Sequence, residues 1–348
     1  MPRPSGDAIA TISADSGYDP LMKRLLLLGL IGGLVLTAWL IWQVGVPQIW
    51  GALRQAGFTT LLLISIVHFA AIILTATAWG RLQPESGRLV FFWARMLRDA
   101  GSELLPLSQL GGLALGTRAL IVHGMEGTRA AALSLLDALL EFCAELIYAG
   151  FGLLFFFSVT EGVDLPLSVL IAVPLALGIL VAVLALSRVR FDFLTRLPSR
   201  GPLRRLLGTA AMIHAEIGRL YARKRGLALS FFLHLAAWIV AGIEAWLALW
   251  IMGAGLSLTS VLAMESLVYA TRALAFLVPN AIGIQEGAFM VIGASLGLSP
   301  DLALGLSLLK RGRDLVIGFP TLIAWQIIEG RQWRALKTRD RARDEDRS

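Results

Sequence analysis

Cysteine is almost absent from this chain of 348 residues: Cys143 stands alone. A single cysteine excludes an internal disulfide and a cysteine-built metal cluster. Histidine is scarce too. His68, His123, His214 and His234 are scattered, and no His, Asp and Glu set has metal-ligand spacing. No phosphate-cradling loop or dinucleotide fingerprint occurs, and no serine or cysteine sits in a nucleophile motif. With no catalytic constellation, neither enzymatic activity nor a cofactor or metal is expected. Charge is also thin. Charged residues make up 16% of the sequence, against about 25% in soluble domains.

What fills the chain is apolar: 57% of residues are hydrophobic and the mean hydropathy is +0.73. This composition specifies an all-α polytopic integral membrane protein, with about 7–8 transmembrane helices at roughly 20 residues each. The formal net charge of +7 is not a nucleic-acid signal. The basic residues gather in loops and in the tail, the positive-inside pattern of a multi-pass membrane protein.

Two stretches are built to break helices inside apolar sequence. The first runs from Glu103 to Gly116 and holds Pro106, Gly111, Gly112 and Gly116. The second runs from Phe276 to Gly287 and holds Pro279, Asn280, Gly283, Glu286 and Gly287. Proline removes a backbone donor, and Gly or Asn accepts conformations that other residues resist. Broken backbone at membrane depth persists only when buried in protein or lining a wet cavity. Both stretches are expected to be re-entrant elements facing each other in the interior. A short loop between spans is the plainer alternative for the second.

Five segments follow from the pattern of apolar runs. Residues 1–21 are polar and expected to be disordered on the cytoplasmic side. Residues 22–187 form a first membrane repeat, with spans at Leu25–Val46, Phe58–Gly80 and Leu165–Leu186 and a long helix at Thr128–Phe157. Residues 188–226 form a basic loop, with ten Lys and Arg against Asp192 and Glu216. That excess places it in the cytoplasm, where its basic face meets anionic headgroups. Its latter part, beyond Leu203, suits a surface helix. Residues 227–328 form a second repeat, and 329–348 a charged tail expected to be disordered. Within the first repeat, Arg81–Arg98 mixes Arg with Phe, Trp and Leu. It suits a helix lying in the headgroup layer, or an ordinary cytoplasmic loop.

The halves echo each other. Glu145 and Asp314 lie 169 residues apart, and Pro106 and Pro279 lie 173 apart. Each copy reads as a broken segment, a long helix, then an acid followed by an apolar stretch with Gly. Repeats of this kind carry substrate sites at their interface near the midplane.

Intramembrane charge is the sharpest chemical signal. Asp137, Glu141 and Glu145 are four apart and stack on one helix face. Lys310, Arg311, Arg313 and Asp314 cluster in the matching helix, and Arg118, Glu244, Glu265, Arg272, Asn280 and Glu286 extend the polar set. A central charge costs about 2.5–3.5 kcal/mol on insertion scales, so these groups should face one another or water. The simplest arrangement pairs Glu141 and Glu145 with Arg311 or Arg313. Arg272 and Glu286 are expected to line a cavity walled by Phe276, Leu277 and Phe289. The same set reads either as salt bridges that fix packing or as contacts to a lipid headgroup.

The elements Leu104–Gly116 and Val278–Gly287, with the Lys310–Asp314 helix, resemble the lysylphosphatidylglycerol synthase transmembrane region, a flippase-like family. Within it the chain is most similar to the hopanoid-biosynthesis-associated, HpnL-type membrane proteins, over roughly residues 22–330. The resemblance implies a lipid translocator with two re-entrant elements, moving a hopanoid or phospholipid. It also implies lipid-biosynthesis partners or a homo-oligomer. Relatives often carry an acid or arginine just after the glycine of the first element. Here Gly111-Gly112 is followed by Leu113-Ala114, and Arg118 comes later. The soluble aminoacyl-transferase domain of full synthases is not found, so aminoacylation is not expected. A lipid-modifying enzyme and a scaffold for lipid-synthesis enzymes are the alternatives. Buried charge in this quantity favours transport over a scaffold.

Overall fold

Apolar runs of 27, 32 and 28 residues set the frame: Ala56–Leu82, Gly127–Ser158 and Lys224–Ile251 are each long and apolar enough to cross a membrane. The computed structural model describes residues 46–105, 108–159, 202–275 and 278–345, with isolated positions between 31 and 42. Among the described residues every regular element is helical. The chain is an all-α polytopic membrane protein. The spans expected at Leu25–Val46 and Leu165–Leu186 fall almost wholly outside the described residues, as do Pro106 and the first 30 residues.

In chain order the helices are α1 (Val46–Leu82), α2 (Arg88–Leu104), α3 (Ser108–Val122), α4 (Gly127–Val159), α5 (Pro202–Tyr221), α6 (Lys224–Ile251), α7 (Leu258–Leu274), α8 (Ile284–Ser295) and α9 (Pro300–Glu345). A 3-10 turn at Pro279–Ala281 lies between α7 and α8. Helix α1 is interrupted at Gly57, whose φ of 69° suits glycine.

Helices α1 and α6 make the most extensive pairing. They run antiparallel: His68 meets Glu244 midway, and the Arg81 carbonyl lies against Gly226. Around this pair most further helix contacts have a counterpart, the packing of α5 on α4 being an exception. Helix α2 packs on α1 as α7 packs on α6, and the hairpins α2–α3 and α7–α8 correspond. Helix α4 packs against α7, as α9 packs against α2. Two apolar clusters follow the same scheme. One gathers Trp79, Phe91, Leu97 and Leu133 beneath the first hairpin; the other gathers Leu249, Phe289, Ile292 and Leu306 beneath the second.

Several expectations change here. The Arg81–Arg98 segment does not lie flat in a headgroup layer. It supplies most of α2, with Phe91, Ala94 and Leu97 fully buried and Arg95 and Arg98 only 8% and 7% exposed. Its charged face finds acids inside the bundle, so neither face needs the water interface. Gly111, Gly112 and Gly116 do not break the first element either, since all three are helical in α3. The chain instead reverses just after α2, where Leu105 is extended (φ −100°, ψ 150°). The glycines serve close approach. A Cβ on Gly112 would lie 2.1 Å from Ser102 Oγ and 2.3 Å from the Arg98 carbonyl oxygen.

The second element is broken as expected, but at Asn280, Ala281 and Gly283, with φ of 50°, 44° and 81°. Gly287 lies within α8. At the C-terminus, the stretch expected to be disordered continues α9 to Glu345. Beyond Gly330 the sequence to that point has no Gly or Pro and is rich in Ala, Arg, Lys and Glu, all strong helix formers. The latter part of the basic loop does form a helix, α5, packed on α4.

Gly112→Ala should force α2 and α3 apart, because the obstructing atoms are backbone as well as side chain. Thermal unfolding in detergent should register a loss of about 1–3 kcal/mol. Gly150→Ala, where an added Cβ meets nothing within 4 Å, should leave the unfolding temperature at or above wild type.

Candidate functional site

Among the described residues, three ionic groups, a separate Glu286–Arg311 pair and a cavity hold most of the buried charge. The first group joins α2, α4 and α6. Arg98 Nη1 donates to Asp137 at 2.6 Å and Nη2 to Glu141 at 2.7 Å. Arg95 donates to Glu141 at 2.6 Å and to Asp99 on its own helix. His234 on α6 places Nε2 3.0 Å from Asp137. Asp137 and His234 are fully buried. A carboxylate so placed persists only with its charge matched and its lone pairs filled.

The second group joins α7 and α9. Lys310 Nζ lies 2.5 Å from Glu265 and over the Tyr269 ring, 5.0 Å from its centroid. The two groups occupy corresponding places. Arg95 lies seven residues after the start of the 17-residue α2, and Glu265 seven after the start of the 17-residue α7. Asp137 lies ten residues after the start of α4, and Lys310 ten after the start of α9. The basic and acidic members have exchanged helices. Counted in the same way from the helix starts, Asp314 falls level with Glu141.

The third group ties α1, α6 and α9. Arg313 pairs with Glu244 and with its neighbour Asp314, and Glu244 also meets His68 Nδ1 at 2.9 Å.

Glu286 is elsewhere. Its carboxylate accepts the Gly283 N–H at 2.7 Å, which caps α8, and takes Arg311 Nε at 2.5 Å and the Ser307 hydroxyl at 3.2 Å. An acid at N3 that closes on the helix start is a capping device. Glu286 is fully buried and Phe289 is 1% exposed in the apolar core. Neither lines the cavity. Glu286 is therefore not paired with Arg272. Phe276 and Leu277 fall outside the described residues. Arg118 is also apart, half-exposed and bonded to Glu329 at 3.0 Å.

The cavity has a volume of about 370 Å³ and lies among α1, α2, α4, α6, α7 and α9. Of the residues singled out in the sequence, it brings together Glu141, Glu145, Arg272, Asn280, Arg313 and Asp314. Asp137, Glu244, Glu265, Glu286, Lys310 and Arg311 stand behind it or outside it. The expected pairing of Glu141 and Glu145 with Arg311 or Arg313 does not form. Glu141 is taken by α2, Arg311 by Glu286, and Arg313 by Glu244 and Asp314. Glu145 has no hydrogen-bond or ion-pair partner among the described residues.

The two hairpin turns meet at one end of the cavity. Arg272 Nη2 donates to Glu103 at 2.9 Å and to Asn280 Oδ1 at 3.1 Å. This clamp fastens the end of α2 to the break after α7. Sequence alone does not place several of these residues in the site: Arg95, Arg98, Glu103, His68 and His234 have other readings there, and Trp238 and Tyr269 have none. One signal could have found the arginines. Arg95 and Arg98 share a helix face at i, i+3, as Asp137 and Glu141 do at i, i+4. Nothing local marks Trp238 or Tyr269, because their place depends on α6 and α7 meeting.

A family model for the lysylphosphatidylglycerol synthase transmembrane region matches residues 26–321. The chain belongs to that family. The match spans both hairpins, all three ionic groups and the cavity. No curated protein and no solved structure is similar enough to add a relative. Membership places the chain among lipid-related membrane proteins.

Arg98→Gln should leave Asp137 buried with His234 at 3.0 Å and the more distant Arg95 at 4.0 Å. A stability loss of about 3–5 kcal/mol is expected, measured by thermal unfolding in detergent. Adding Asp137→Asn should restore part of it. A double variant as unstable as the single one would show that the ion pair is not what holds α2 to α4.

Proposed function

We propose that this protein moves a membrane lipid between the leaflets of a bacterial inner membrane, in the manner of a flippase. The observation that carries this reading is the cavity: about 370 Å³, lined by Arg95, Arg98, Arg272, Arg313 and five carboxylates, inside a bundle of spanning helices. Such charge is expensive at membrane depth unless it serves a polar group or a water-filled path. Ligand pockets begin at about 300 Å³, so this one fits a headgroup and leaves the lipid tails outside. Family membership supplies the lipid.

The paired contacts support a two-fold pseudo-repeat in which α1–α4 correspond to α6–α9. Because α1 and α6 run antiparallel, the halves are inverted relative to each other. Inverted halves with a polar site between them suit alternating access, one half rocking against the other. The two broken hairpins are then re-entrant elements whose tips meet at the Arg272–Glu103 clamp. A hopanoid is the lipid that the resemblance within the family favours, its rigid ring system lying against exposed apolar helix faces.

Purified protein in liposomes should equalise a tail-labelled lipid between leaflets faster than protein-free liposomes, read by quenching of the outer-leaflet label. Glu103→Gln, which loosens the clamp, should change that rate several-fold. No acceleration with any lipid class would remove the transport reading.

A further inference from the structure

The polar groups of the cavity carry more information than their number. All four guanidiniums that line it are already committed to carboxylates. Arg95 and Arg98 hold Glu141, Arg98 also holds Asp137, Arg272 holds Glu103, and Arg313 holds Glu244 and Asp314. A phosphate entering here would find no guanidinium without a carboxylate partner among the described residues. It would instead face the carboxylates of Glu141, Glu145 and Asp314.

Two sets of hydrogen-bonding atoms remain open. Glu145 has no hydrogen-bond or ion-pair partner among the described residues and lines the cavity together with Arg272. Arg272 spends only Nη2 on Glu103 and Asn280, so Nε and Nη1 donate to no described residue. Asn280 accepts through Oδ1 and keeps its amide donors, and the exposed Gln109 offers both roles. An ammonium group could satisfy Glu145 but would meet the Arg272 charge and leave its donors unmet. Hydroxyl groups both donate and accept, so a row of them satisfies carboxylate, guanidinium and amides together. Half-buried aromatic rings complete the wall: Trp238 and Tyr269 stand edge to face with centroids 4.6 Å apart, and Phe142 also lines the cavity. Such rings cover the apolar C–H faces of a polyol or sugar ring.

We propose that the cavity selects lipids with an uncharged, hydroxyl-rich headgroup, a sugar or polyol. Glu145 and Arg272 take the hydroxyls and Trp238 with Tyr269 packs the ring. The proposal deepens the transport reading and rests on it.

The test uses the full chain in liposomes with three probes that share one labelled acyl chain. Their headgroups are glucose, phosphoglycerol and a quaternary ammonium. The glucosyl lipid should cross at least about tenfold faster than either charged lipid, the factor expected when polar groups in a site lose their partners. Glu145→Gln and Gln109→Leu should each slow the glucosyl lipid several-fold at unchanged thermal stability. As a measurement independent of transport, glucosyl lipid in nanodiscs should raise the unfolding temperature of the wild type more than that of Glu145→Gln. Faster movement of phosphoglycerol or ammonium lipid overturns the headgroup assignment and leaves the transport reading standing. Movement of none of the three, together with glucosyl stabilisation lost in Glu145→Gln, removes transport and keeps the site. Equal stabilisation of both forms by all three lipids removes the site.

Discussion

Charge inside a membrane bundle must be matched, and this structure is arranged around that constraint. Moving a carboxylate or ammonium out of water costs several kcal/mol even after relaxation. Asp137, Glu244, Glu265 and Glu286 are essentially inaccessible, and each is met by a cation on another helix or, for Glu286, across the turn into α9. Apolar packing cannot by itself fix register between membrane helices, because lipid tails are as apolar as Leu. An ion pair can, since a slip of one turn strands a charge. The pairs α2–α4 and α7–α9 are therefore set by their Arg–Asp and Lys–Glu contacts. Glycine then lets α2 and α3 close to backbone distance at Gly101 and Gly112.

On the proposed pseudo-repeat the sign of the pair is exchanged between the halves. Arg95 and Asp137 would then stand where Glu265 and Lys310 stand in the other half. What each half needs is a complementary pair joining its hairpin to its long helix; which helix carries the base does not matter. The two hairpins also end differently. The first turns sharply after Leu104, whereas the second needs left-handed backbone at Asn280 and Ala281. Non-glycine residues in that region carry strain of about 1–3 kcal/mol, and here the Arg272 bond to Asn280 helps to hold it. The strain sits at the end of the cavity where the two tips are clamped.

Behind the cavity each buried acid meets an opposite charge, whereas within it the matching is incomplete among the described residues. Glu145 and two of the three Arg272 nitrogens are left for something else to satisfy. A protein that only needed rigidity would have little use for a carboxylate in that position. On the proposal above, the groups paired to an opposite charge build the site and Glu145 with Arg272 faces the ligand.

Some of this was legible in the chain itself. Long apolar runs with few charges can only be membrane helices, so the all-α class follows from composition. The acids at Asp137, Glu141 and Glu145 share a face because helical geometry places every fourth residue there. Pro279 and Asn280 mark a break because few local alternatives tolerate them. The Pro/Gly elements and the charged α9 helix also carried the family resemblance. Tertiary structure alone decided the partners. Sequence offers three acids on α4 and several bases elsewhere, and any base could neutralise any acid. Helix contacts choose among them: α2 lies within reach of Glu141 and leaves Glu145 open, and Arg311 is taken by Glu286. The same contacts turned a basic, aromatic segment into a buried hairpin helix and glycines into packing surfaces. Local pattern records what each residue can bond to, whereas the order of packing records which of those bonds are made.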